Sequence, residues 1–150
     1  LAVHSSEKQI PVKIHLRTDI QHGDEKDSFE LFAFGRYYKK GDTAYLKYDE
    51  VQEEGTVHTI IKMASENALI LRSGAVKMRL SFNKAHELNG SYETEIGTLL
   101  LTTTTNKLTY EEYEENNSGE FQVHYELHMQ GSSVGKYYMV ISFKEETQEL

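Results

Sequence analysis

Side chains that alternate between apolar and polar along most of a chain leave it few ways to fold. A period of two puts successive residues on opposite faces of a strand and gives a helix no continuous stripe to bury. In this 150-residue chain the alternation runs almost from end to end. Ile10, Val12, Ile14, Leu16, Thr18 and Ile20 share one face, with Lys13, His15, Arg17, Asp19 and Gln21 on the other. Val76, Met78, Leu80 and Phe82 repeat the pattern, as do Phe121, Val123, Tyr125, Leu127 and Met129, and then Tyr137, Met139, Ile141 and Phe143. Each run predicts a strand with one face in a core and the other in water.

Turn signals divide these runs at hairpin spacing. They stand at His22-Gly23-Asp24, Lys40-Gly41-Asp42, Glu54-Gly55, Ser65-Glu66-Asn67, Ser73-Gly74, Asn89-Gly90, Gly97, Asn116-Asn117-Ser118-Gly119 and from Gly131 to Gly135. The lone proline, Pro11, falls near the start of a strand, where its missing N–H does little harm. Lys84 to Leu88 is too short for a stable helix and reads as loop. Tyr110 to Glu115 carries helix-favouring glutamates among strand-like neighbours and reads as a strand end in a long hairpin. The outcome is an all-β, antiparallel, single domain over 1–150, with residues 1–8 and 145–150 as frayed termini. Short, evenly spaced strands suit a sandwich or a barrel. A barrel is preferred, because consecutive runs alternate as meander strands do and closure removes exposed edges.

Composition narrows the function classes. A chain of this length buries about two-thirds of its unfolded surface, and it contains no cysteine, so neither disulfides, thiolate metal clusters nor a Cys nucleophile enter the account. A net charge of −8 repels phosphate backbones, which argues against a nucleic-acid partner. No stretch approaches the roughly 18 apolar residues of a membrane helix. The expectation is a soluble, cytoplasmic protein with no membrane partner.

At Arg72-Ser73-Gly74-Ala75-Val76-Lys77-Met78 the chain resembles the YwiB-like family, small bacterial proteins with a calycin-type, lipocalin-like β-barrel. Gly35 with Tyr37-Tyr38, Tyr45-Leu46 with Tyr48 and Glu50, Thr59 with Ile61-Lys62, Gly97 with Leu99, Leu101, Thr103 and Thr105, and Tyr125 fall where that resemblance would put them. It implies a lipocalin-like barrel of about eight to ten strands and no particular activity. Tryptophan is absent, and with it the Gly-x-Trp signature of true lipocalins, so a carrier role does not follow from the fold.

Three groups of residues could carry function. A small barrel is either filled by its own side chains or wide enough for a small ligand. Inward parity brings Tyr48, Glu50, Thr59, Arg72, Tyr92, Thr103, Thr105 and Tyr125 into an otherwise apolar interior, the usual make-up of a small-molecule site. Arg72 could clamp a carboxylate or phosphate; equally, Arg72 and Glu50 could simply pair near the rim. The second group is His124, Glu126 and His128. On a strand the outer two imidazoles stand about 13 Å apart, too far for one metal, so a polar outer face is expected and no metal or other cofactor. The third is Phe32, Phe34 and Tyr38, which share the face opposite Phe29, Leu31, Ala33 and Tyr37. That outer apolar face must be covered by a terminus or loop, or by a second subunit.

No catalytic constellation stands out, and a non-enzymatic role is favoured. The leading reading is a barrel that binds a small, partly polar or anionic ligand in its interior. The alternative is a filled barrel serving as a protein-interaction or homodimerising scaffold.

Overall fold

A computed structural model describes residues 8–146. Ten strands follow one another: β1 (Ile10–His22), β2 (Glu25–Lys40), β3 (Thr43–Gln52), β4 (Gly55–Met63), β5 (Asn67–Gly74), β6 (Lys77–Asn83), β7 (Leu88–Thr94), β8 (Gly97–Tyr113), β9 (Ser118–Met129) and β10 (Ser132–Glu145). Each pairs with its neighbours in the chain, and β1 pairs antiparallel with β10 to close the barrel. Short joints enforce this meander. Gly23 and Gly41 take the positive φ that a two-residue hairpin turn with glycine first requires, and Gln130-Gly131 does so at both positions.

The alternation resolves as expected. Val12, Ile14, Phe121, Val123 and Ile141 are fully buried, and the intervening polar residues face outward. β10 continues through Glu145, which pairs with Val12, and the Glu146 N–H donates to the Pro11 carbonyl at 2.9 Å. The strand therefore runs into the stretch expected to fray; residues 1–7 and 147–150 lie outside the described residues. The region around Glu114 contains one turn of 3-10 helix (Glu114–Asn116) at the tip of the β8–β9 hairpin. Among the described residues no helix is long and apolar enough to cross a membrane.

Besides a bulge in β10 between Ser133 and Gly135, two irregularities bear on the interior and the outer face. β8 carries a bulge between Thr105 and Lys107, so Asn106 has no partner on β9. A bulge adds one residue to one strand and resets its parity. Leu101, Thr103 and Thr105 therefore point inward before it, and Leu108, Tyr110 and Glu112 after it. The second irregularity lies between β2 and β3, whose ladder covers only Gly35–Lys40 and Thr43–Tyr48. From Glu25 to Phe34 the β2 backbone is paired, among the described residues, with β1 alone. Gly35 stands where the strands part, and a Cβ there would meet the Lys47 carbonyl oxygen at 2.3 Å and Ile14 Cδ1 at 2.8 Å.

Candidate functional site

The odd-numbered strands all end at one rim of the barrel. Just inside it the inward side chains leave a cavity of about 250 Å³. Leu16, Ile20, Ile61, Ile70, Leu80 and Met139 supply most of its apolar wall, and Tyr48, Glu50, Thr59, Arg72, Tyr125 and Tyr137, with Thr18, its polar part. Tyr125 is held between Phe82, with centroids 4.7 Å apart, and Tyr137, stacked at 5.0 Å. Burial pushes the phenols of Tyr125 and Tyr137 upward, so both remain neutral donors at physiological pH.

Register explains why the polar residues cluster. Tyr48 pairs with Thr59, Thr59 with Arg72, and Arg72 with Met78, so one cross-strand row carries a phenol, a hydroxyl, a guanidinium and a thioether along the same inner face. Glu50 lies two residues beyond Tyr48, opposite Val57. Arg72 on β5 and Glu50 on β3 are separated by β4, and their long side chains reach across it to meet. Arg72 Nη2 donates to Glu50 Oε1 at 3.2 Å. The side chains are 26 % and 20 % exposed, enough burial for the pair to matter and enough access for a small molecule to reach it.

The pair is under-used. A charge-assisted N–H···O bond is usually 2.7–2.9 Å long, and guanidinium has five N–H donors. Arg72 makes this one bond among the described residues. Beside it Thr59, 2 % exposed, has a buried hydroxyl without a well-formed hydrogen bond among the described residues. Burial raises the Tyr48 phenol above its usual range, with the Thr59 hydroxyl and Arg72 pulling the other way.

Of the eight interior residues expected to form a site, the cavity brings together Tyr48, Glu50, Thr59, Arg72 and Tyr125. Tyr92, Thr103 and Thr105 are not in its lining. Tyr92 lies one strand past Met78 and packs half-buried on the core. Thr103 donates to the Ser81 carbonyl at 2.5 Å, which ties β8 to β6 beside the short β6–β7 ladder. Thr105 is buried, and its hydroxyl has no hydrogen-bond partner among the described residues. Tyr137, Phe29 and Met78, expected on inward faces but not among the expected site residues, join the lining at the rim from β10, β2 and β6.

The other end of the barrel holds a polar cluster that sequence reasoning missed. Tyr37 and Tyr110 both donate to Glu112 Oε2 at 2.9 Å, and Lys39 Nζ lies 2.5 Å from Oε1. These contacts join β2 to β8 across the barrel end, since three strands lie between them on the shorter path. Burial works to raise the Glu112 carboxyl, yet its bonds with Lys39, Tyr110 and Tyr37 hold it below the usual value. Desolvation raises Tyr37 to about 12 and Tyr110 further. With Tyr37 stacked on Phe143 at 4.6 Å, this network caps the end opposite the cup.

On the outside, Phe32 and Phe34 are 59 % and 65 % exposed. Phe32 stacks on His15 at 4.4 Å, with Lys13 Nζ 5.9 Å from its ring, and Tyr38 stacks on Tyr45 at 4.8 Å. His124 packs edge-on against Tyr138, and burial followed by Lys107 lowers its pKa.

Comparison with known proteins agrees with the architecture. The family described as "Domain of unknown function (DUF1934)" matches residues 14–141. The "Uncharacterized beta-barrel protein YwiB" of Bacillus subtilis (strain 168) is 28 % identical over 137 residues, covering 91 % of this chain and 95 % of that protein. The crystal structure of the ywiB protein from Bacillus subtilis superposes with a TM-score of 0.82 at 29 % identity, over 93 % of this chain and 94 % of the other. Ten antiparallel strands, a closed meander and a match across nearly the whole length lead to one assignment: the chain belongs to the DUF1934 family of small β-barrel proteins.

Proposed function

We propose that the protein is a non-catalytic binding barrel that takes a small molecule with an apolar body and an anionic head into the cup. The observation that carries this is Arg72, a half-buried guanidinium at an apolar cavity with most of its donors unused among the described residues. Ligand sites of this kind combine an apolar wall with a few convergent polar groups. At about 250 Å³ the cavity is below the usual range for drug-sized molecules, which sets the ligand class as small. Titration of the full chain with phenylpropanoate, followed by NMR, is expected to perturb Ile61, Ile70, Met78 and Leu80, and Arg72→Gln to weaken binding by about tenfold. Perturbations confined to the outer face around Phe32, or none, would contradict the proposal.

A second reading has its own observation: among the described residues, Phe32 and Phe34 are exposed on a strand whose backbone is unpaired on one side from Glu25 to Phe34. Exposed apolar surface beside an open edge favours pairing with a second copy. Sedimentation equilibrium would then show a dimer that Phe32→Ser with Phe34→Ser dissociates; a monomer at high concentration argues against it.

A further inference from the structure

We propose that the ligand's head is a zwitterion, a carboxylate and an ammonium on neighbouring atoms, and that the cup selects α-amino acids with apolar side chains. This rests on the binding reading above and goes further by using Glu50 as well as Arg72. The two side chains form a pair of zero net charge at the junction of the polar row and the apolar wall. A lone carboxylate docking on Arg72 would set a second anion beside Glu50, in a site too buried for water to screen the repulsion fully. A lone ammonium docking on Glu50 would do the same to Arg72. An amino acid avoids both costs, since its carboxylate meets the guanidinium while its ammonium meets the carboxylate.

The surroundings fit the rest of such a molecule. Both charges of an α-amino acid sit at one end, matching a rim where cation and anion are 3.2 Å apart. Its side chain then points toward Ile61, Ile70, Leu80 and Met139, which offer no charge to a polar substituent. Thr59 and Tyr48 line the cavity in the same row as Arg72 and set hydroxyl groups beside the head. The long, single Arg72–Glu50 contact leaves both partners free to take new ones.

The test compares three ligands that share one apolar body: phenylalanine, its deaminated acid phenylpropanoate and its decarboxylated amine phenylethylamine. Each is titrated by NMR into the full chain at neutral pH, with the leucine series as a smaller body. The amino acid is expected to bind at least about tenfold more tightly than either relative. In Glu50→Gln the advantage over the acid disappears, and in Arg72→Gln the advantage over the amine disappears. If the acid binds as tightly as the amino acid to the native chain, the zwitterion proposal falls while the anion-binding cup stands. If no member of either series perturbs the cup, both fall together. Because the first comparison uses only the unaltered protein, it holds even if a variant fails to fold.

Discussion

Arg72 and Glu50 show how a single pair can serve both structure and recognition. Each is partly buried, so removing one leaves the other's charge poorly compensated, whereas removing both does not. Arg72→Met is expected to cost about 1 kcal/mol in urea denaturation, a modest value because water still reaches the pair. The double variant with Glu50→Gln should recover most of that loss. Glu112 at the opposite end is more deeply set, 16 % exposed, and accepts three bonds. Tyr110→Phe removes one of them and should cost about 1–2 kcal/mol. Because the Glu112 carboxyl is held below its unfolded value, the native state binds its proton less readily than the unfolded chain does. Its contribution is therefore complete above the ordinary glutamate pKa of about 4.3 and is lost as pH falls through the lower native value. Thermal melting from neutral to strongly acid pH should show a smaller drop for Glu112→Gln than for the native chain; equal drops would remove Glu112 from the acid response.

The strands were legible in the sequence wherever parity ran unbroken, because a buried face on a twofold repeat admits one register. Ile10 to Ile20 and Phe121 to Met129 show this most clearly. What parity could not supply was the bulge at Asn106, since an extra residue in a run of threonines and polar residues leaves no mark on the pattern. Without the bulge Thr109 and Glu111 would face inward; with it Tyr110 and Glu112 do, which is why the capping cluster went unseen. Deleting single residues tests this assignment. Loss of Asn106 leaves every later pairing with β9 intact and should cost no more than about 2 kcal/mol, whereas loss of Thr109 turns Tyr110 and Glu112 outward and should cost more. Equal melting temperatures for the two deletions would contradict the register. Gly35 makes a sharper case, because a Cβ would strike the Lys47 carbonyl oxygen. Gly35→Ala should destabilise the barrel by about 1–3 kcal/mol by forcing β2 and β3 apart where their pairing begins.

The closed meander gives the barrel two unlike ends, one capped by Tyr37, Tyr110, Glu112 and Lys39 and one left open as a cup. The resemblance at Arg72-Ser73-Gly74-Ala75-Val76-Lys77-Met78 already pointed to the fold, and five of the eight expected interior residues meet at the open end. The remaining three sit directly opposite lining residues, Tyr92 opposite Met78, Thr103 opposite Leu127 and Thr105 opposite Tyr125, yet stay outside the lining, which face alone could not show; the Thr103 hydroxyl, for one, is occupied by the Ser81 carbonyl. Native mass spectrometry of the full chain purified from its own host tests most directly whether the open end holds a ligand. The protein should carry a small molecule that dissociates on denaturation and is missing from Met78→Trp, in which the indole occupies the cup. A native chain of bare mass, indistinguishable from the filled variant, would contradict the binding account.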